Sequence, residues 1–222
     1  MPVSPMQRLH SSPKSPIRLL RKTRTSIPLR ISIAFGSPSG KCRTLANITL
    51  PETTVIEDNA FAGCGSLTSV SLPKIQTVGK SAFTRSKITE LNLPEATYIG
   101  RNTFANCANL TTLDLPKVTF VDRGAFANTN VYEVSLSKAT RIAGEVFTNC
   151  TNLYSIDLPL ADLAQYDDSV RLFENCTNLT NVNLPLAKIF TKGTFQDCTS
   201  LRSLSLPSAI KLVIMCFKDV TI

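Results

Sequence analysis

Tryptophan is absent from this 222-residue chain, and histidine occurs once, as His10. Without a His in the body of the chain, no Ser–His or Cys–His nucleophilic pair can be assembled there, and a metal site loses its commonest nitrogen ligand. Glycine is sparse at nine residues, with no Gly-rich loop that would cradle a phosphate. No apolar run approaches the ~20 residues of a membrane-spanning helix. Acid is missing from residues 1–43, which hold nine Lys/Arg; residues 44–222 hold fifteen Lys/Arg against sixteen Asp/Glu. The net charge of +8 therefore belongs to the head. The rest is nearly neutral, which argues against a basic groove and against nucleic acid as the partner of the body.

What the chain does have is repetition. From Cys42 to Phe217, eight copies built on the pattern C-x-x-L-x-x-[VIL]-x-L-P follow one another. Each continues with a small or β-branched residue two after the Pro, an apolar residue five after it, and Phe ten after it. The closing residues Phe61, Phe83, Phe104, Phe126, Phe147, Phe173, Phe195 and Phe217 are spaced by 22, 21, 22, 21, 26, 22 and 22. A period in this range predicts a β-rich solenoid, in which one short coil cannot bury its apolar side alone and stacks on its neighbours.

The fourth copy shows the expected build. Leu110, Leu113 and Leu115 sit among polar Thr112 and Asp114, the alternation of a half-buried strand. Pro116 ends it, because Pro cannot donate to a ladder. Val118 and Val121 form a second apolar stretch, Asp122-Arg123-Gly124 a turn, and Ala125-Phe126 a plug. Twenty-odd residues leave no room for a long helix, so the second side should carry short strands or single 3₁₀ turns.

The segments Asn59-Ala-Phe-Ala-Gly-Cys-Gly-Ser-Leu-Thr-Ser-Val-Ser-Leu-Pro73 and Asn102-Thr-Phe-Ala-Asn-Cys-Ala-Asn-Leu-Thr-Thr-Leu-Asp-Leu-Pro116 resemble the BspA-like class of leucine-rich repeat. The likeness covers residues 42–217. It implies a right-handed leucine-rich repeat superhelix with a parallel concave sheet. It also implies a mostly cell-surface or secreted group whose members bind proteins and mediate adhesion. Here the partner would be a protein ligand, such as an extracellular-matrix or host-surface protein. The head shows no apolar h-region of a secretory signal, so a cytoplasmic location stays open.

Six of the seven cysteines, Cys42, Cys64, Cys107, Cys150, Cys176 and Cys198, occupy one repeat position, and Cys216 precedes the last Phe. Stacking at ~4.8 Å puts 42/64, 150/176 and 176/198 within disulfide reach. Side chains of a ladder point the same way, however, and Ser86 and Thr129 fill this position in two copies, so the reading is a column of free, buried thiols. Five N-x-S/T triplets, at Asn47, Asn109, Asn149, Asn175 and Asn178, mostly fall in recurrent corners, where the repeat generates them.

With Leu67, Val70 and Leu72 inward, two outward columns follow. One is Asn47, Ser69, Glu90, Thr112, Glu133, Ser155, Asn181, Ser203; the other is Thr49, Ser71, Asn92, Asp114, Ser135, Asp157, Asn183, Ser205. Tyr132 and Tyr154 adjoin them. The candidate partner-binding residues are Glu90, Asn92, Thr112, Asp114, Tyr132, Glu133, Ser135, Tyr154, Ser155, Asp157, Asn181 and Asn183, on what the resemblance makes the concave face. The copy that begins at Cys150 is four residues longer than the others between its Pro159 and its Phe173, and carries Asp162, Tyr166, Asp167, Asp168 and Arg171. No catalytic constellation, cofactor motif or metal-ligand spacing occurs.

Two units are expected: a basic Pro/Ser/Arg-rich head over 1–41, either disordered or a decayed coil ending near Ile31, Ile33 and Phe35, and the solenoid over 42–222. A short helix between Pro16 and Pro28, capped by Ser15, is compatible with the head. The alternative function is an intracellular scaffold whose head contacts nucleic acid or anionic membrane. The last copy is the most apolar, with Leu212, Val213, Ile214, Met215 and Phe217, which predicts self-association through an uncapped C-terminal coil.

Overall fold

The computed structural model describes residues 29–31, 42, 44–163, 171–190, 193–202 and 204–212. Within them the chain is a parallel β-solenoid with no α-helix. One row of three-residue strands forms a front sheet: β2 (Asn47–Thr49), β4 (Ser69–Ser71), β6 (Glu90–Asn92), β8 (Thr112–Asp114), β10 (Glu133–Ser135), β12 (Ser155–Asp157) and β13 (Asn181–Asn183). A second row forms the back: β1 (Leu29–Ile31), β3 (Thr53–Ile56), β5 (Thr77–Val78), β7 (Tyr98–Ile99), β9 (Phe120–Val121), β11 (Arg141–Ile142), then β14 (Ile189–Phe190) and β15 (Lys211–Leu212). The expected short strands of the second side are therefore present, and β1 extends the back sheet into the stretch read as a head. The helix expected between Pro16 and Pro28, Phe35, Tyr166 to Asp168, Ser203, and the chain from Val213 on, including Cys216 and Phe217, lie outside the described residues.

The repeat letters each have a structural cause. Leu-Pro makes the front-to-back corner: Ile75 N donates to Leu72 O, and Ala96, Val118, Ala161 and Ala187 repeat this three-residue return, as does Ala139, where Ser137 stands in place of the Pro. Pro at the second place of such a turn has its φ preset. The turn's last residue is fully buried in each of these coils, which explains its small or branched character. The Phe is flanked two residues before and two after by left-handed backbone. Asn59, Ser81, Asn102, Gly124 and Glu145 form one such column, and Gly63, Arg85, Asn106, Asn128, Asn149, Asn175 and Asp197 the other. Asn and Gly tolerate that conformation best, so the recurrent Asn before Cys is a backbone requirement. Asn149 and Asn175 also link in an amide ladder, Asn149 Nδ2 to Asn128 Oδ1 and Asn175 Nδ2 to Asn149 Oδ1, both 2.9 Å.

The front sheet is not continuous. Its strands pair as β2–β4, β6–β8 and β10–β12–β13, while the back runs unbroken from β1 through β3, β5, β7 and β9 to β11. Both front breaks fall where the period is 21 instead of 22. Cys64-Gly-Ser-Leu67 shortens there to Ser86-Lys-Ile88, and likewise to Thr129-Asn-Val131. The missing residue lies in the corner just before the strand, so the strand enters out of step with the one below.

The cysteine column is corrected at one end. Cys42 and Cys64 form a disulfide with Cα atoms 4.7 Å apart, whereas Cys107, Cys150, Cys176 and Cys198 are free and buried, as read. Each free thiol donates to the Phe carbonyl of the preceding coil: Cys107 to Phe83, Cys150 to Phe126, Cys176 to Phe147 and Cys198 to Phe173, at 3.1–3.2 Å. Thr129 reaches its own Phe126 O at 2.8 Å and lies 3.3 Å from Cys150 Sγ; Ser86 Oγ lies 3.2 Å from Cys107 Sγ. The position thus needs a small side chain with a donor hydrogen, which Cys, Ser and Thr share. Burial pushes the Cys150 thiol up to about 11, and raises Cys107 and Cys176 as well.

On the back sheet Tyr98 and Phe120 rings meet at 5.3 Å and Arg141 sits 4.4 Å over Phe120. Tyr98 Oη donates to Asp122 Oδ2 at 3.1 Å; burial first, then the Asp122 charge, push its pKa up to about 12. The folded chain therefore holds this proton more tightly than the unfolded chain. Its contribution is intact below pH ~10 and is lost as pH climbs towards about 12. Denaturant titrations between pH 9 and 12 should show a smaller alkaline loss for Tyr98→Phe than for the unsubstituted chain. Parallel curves would remove Tyr98 from the account.

Candidate functional site

All twelve candidate residues lie on the front sheet or at its entry. Glu90 and Asn92 are on β6, Thr112 and Asp114 on β8, Glu133 and Ser135 on β10, Ser155 and Asp157 on β12, and Asn181 and Asn183 on β13. The registers Glu90↔Thr112 and Glu133↔Ser155↔Asn181 align one column, and Asn92↔Asp114 and Ser135↔Asp157↔Asn183 the other. Their central residues Leu91, Val134 and Ile156 are buried; Leu113 and Val182 are only partly so. Period-two alternation and one side chain per coil per column give a ruled surface. The break between β8 and β10 divides the twelve between the β6–β8 and β10–β12–β13 blocks.

Neighbouring coils tie these side chains together. Tyr154 Oη donates to Glu133 Oε2 at 3.2 Å, Ser135 Oγ to Asp157 Oδ2 at 3.3 Å, and Asn183 Nδ2 to Asp157 Oδ1 at 2.6 Å. The Glu133 charge raises the Tyr154 hydroxyl above its ordinary value, so it stays a neutral donor. Tyr132 and Tyr154 stack with centroids 6.2 Å apart, 9° from parallel, and remain 46% and 39% exposed. In the same corner column, earlier coils carry Thr68 and Thr111, which cap the carbonyls of Ala46 and Thr89. The tyrosines thus replace a self-satisfied hydroxyl ladder with exposed rings.

Sequence reasoning missed the opposite rim. The position after the Pro carries Glu52 and Lys74, then Glu95 and Lys117, each pair joined across coils at 2.7 and 2.8 Å. Further along, the same position holds Leu160 and Leu186, 41% and 44% exposed. The signal was legible as a switch from charged to apolar residues after the Pro. The insertion between Pro159 and Phe173 contributes Asp162, bridged to Lys188, and Arg171, bridged to Glu174. Among the described residues no group of His, Cys, Asp and Glu is arranged to hold a metal, and no helix is long and apolar enough to cross a membrane.

Ten chains of solved structure match this fold. The Treponema pallidum leucine-rich repeat protein TpLRR is 25% identical, with 70% of this chain and 77% of that one covered and a TM-score of 0.63. A leucine-rich cell surface protein from Faecalibacterium prausnitzii is 19% identical, covering 76% and 69%, with a TM-score of 0.43. The pneumococcal vaccine antigen PcpA is 18% identical, covering 71% and 52%, with a TM-score of 0.49. A comparison with curated proteins returns no match. The profile of the BspA type leucine rich repeat region matches six copies, over residues 39–154 and 119–222. With that match spanning the whole array, and the fold shared with TpLRR, the chain belongs to the BspA type leucine-rich repeat family and is a protein-interaction repeat module.

Proposed function

We propose that the chain is a non-catalytic adhesive or scaffold-like module that grips an extended protein surface through the front sheet. The observation that carries this is the exposed Tyr132–Tyr154 stack beside the acidic columns. Rigid aromatic anchors supply large contact area at little cost in side-chain entropy, and interface hot spots are enriched in them. The face is non-catalytic on this reading because its carboxylates alternate with Ser, Thr and Asn at solvent-exposed positions, without a base or nucleophile placed beside them.

Binding of the full chain to immobilised extracellular-matrix and cell-surface proteins tests it. For any that bind, Tyr132→Ala/Tyr154→Ala should weaken the interaction by at least about 30-fold, the scale of a hot spot. Arg101→Ala/Arg141→Ala, beside and on the opposite sheet, should leave it unchanged. The reverse pattern would move the site to the back. A second reading draws on the nine Lys/Arg of the acid-free residues 1–43: contact with nucleic acid or anionic membrane. It requires binding that collapses steeply as salt rises.

A further inference from the structure

We infer that Tyr132, Tyr154 and Glu133 form a seat for an arginine side chain of the partner. The inference rests on the front sheet being the binding face and names the chemistry of one of its contacts. The back sheet carries an internal precedent. There Tyr98, Phe120 and Arg141 are strand partners in three successive coils. Two rings meet, and the Arg141 guanidinium closes the row 4.4 Å from the Phe120 centroid. The front sheet repeats the two rings without the cation. Tyr132, Tyr154 and Thr180 follow one another in successive coils, Tyr154 N donating to Tyr132 O and Thr180 N to Tyr154 O. The two rings stack, but the third place holds Thr180, whose hydroxyl donates to Tyr154 O at 3.2 Å. The column meets a cation at Arg202, one coil beyond Thr180, and Arg202 Nη1 donates to Thr199 O at 2.8 Å. A short Thr cannot cover a ring as Arg141 covers Phe120, and Tyr154 stays exposed.

Ring and charge together select the ligand. A guanidinium is weakly hydrated, lies flat on an aromatic face and offers its N–H fork to a carboxylate. Tyr154 supplies the ring, and Glu133 supplies the carboxylate, held at the ring's edge by the 3.2 Å bond from Tyr154 Oη to Oε2. A carboxylate accepts about four such bonds, so one phenol leaves it room for a guanidinium. An apolar partner side chain would also stack on the rings, but it would bury the Glu133 charge without a counter-charge, which is unfavourable. The wider face has the same sign. The two outward columns hold Glu90, Asp114, Glu133 and Asp157 and no Lys or Arg from Asn47 to Ser205. The body as a whole is close to neutral, with fifteen Lys/Arg against sixteen Asp/Glu over 44–222. Sign is thus segregated by face: Lys74 and Lys117 follow the Pro, and Lys80, Arg101 and Arg123 stand beyond the back strands. Such a field draws a basic side chain and repels an acidic one before contact is made. Lysine answers the field, but its compact, strongly hydrated ammonium lacks the flat face that the rings match.

An NMR titration of the full chain with N-acetyl-arginine methylamide reads the seat directly. The ring signals of Tyr132 and Tyr154, identified with Tyr132→Leu and Tyr154→Leu, should shift and saturate together with the Glu133 amide. The citrulline derivative keeps the shape and loses the charge, and should bind there several-fold more weakly. Glu133→Gln should weaken the arginine derivative several-fold and leave the citrulline derivative unchanged. Asp114→Asn, a front carboxylate in the other block, should leave both unchanged. Equal binding of the two derivatives, or Glu133→Gln and Asp114→Asn acting alike, would overturn the arginine seat. If no arginine-dependent shift appears at the tyrosines while Tyr132→Ala/Tyr154→Ala still weakens partner binding, the seat fails and the front sheet remains the binding face. If the arginine derivative binds there and that double variant keeps full partner binding, the partner binds elsewhere, and the reading of the front sheet is what fails.

Discussion

Phe126→Ala should lower the unfolding free energy by about 3–5 kcal/mol, the scale of a buried aromatic truncation. The closing Phe residues form one internal file. Phe61, Phe83, Phe104, Phe126, Phe147, Phe173 and Phe195 stack ring on ring at 5.2–5.9 Å, all within 13° of parallel. Phe126 is completely buried and loses a ring contact on each side when truncated. The coil cannot collapse into the gap, because left-handed Gly124 and Asn128 fix the backbone on both flanks and Phe126 N is bonded to Val146 O above it. Phe120→Ala, half-buried on the back sheet, is the control and should cost clearly less. Equal losses would mean that the file is no more than ordinary packing, and a Phe126 loss below ~1 kcal/mol would break the assigned register.

Removing the Cys42–Cys64 disulfide should cost about 2–4 kcal/mol, since the bridge closes a 22-residue loop whose freedom returns in the unfolded chain. In a solenoid that cost is local. Each coil contacts only its neighbours, so the loss appears first as opening of the coil nearest the bridge. Hydrogen exchange of Cys42→Ala/Cys64→Ala should accelerate from Asn47 to Leu72 and stay unchanged around Phe147. Uniform acceleration would mean that the array unfolds as one unit. The remaining thiols give a second readout: Cys107, Cys150, Cys176 and Cys198 are buried, so they should resist a thiol reagent in the folded chain and react once it is unfolded, without reductant. Cys42 and Cys64 should require reductant first.

Much of this architecture is written in the period. The alternation Leu110, Leu113, Leu115, the Pro that follows and the Phe ten further on determine which side chains go inward, because each coil has only one way to bury them. The two outward columns follow from the same parity. The expectation that the cysteines form a column was correct for the same reason. It stopped short of the chemistry, since a thiol-to-carbonyl bond joins residues 24 to 29 apart whose meeting depends on how one coil seats on the next.

The candidate site was legible as a list and not as a surface. Sequence parity placed Glu133, Ser155 and Asn181 in one column, but nothing local distinguished that uninterrupted block from the shorter β6–β8 block. The distinction came from a single missing residue at each 21-residue corner, which shifts the entering strand out of pairing. Leu160 and Leu186 were visible letters whose exposure was hidden, because the same Leu is buried two residues earlier, before the Pro. The sequence by itself determined the coil, its inward file of Phe and its polar outward columns, since these follow from burying one apolar side at a fixed period. Only the tertiary structure decided where the front sheet breaks, which two cysteines join, and which coils bring exposed tyrosine and leucine rims around the carboxylates. Those depend on the seating of each coil on the next, which no single repeat encodes.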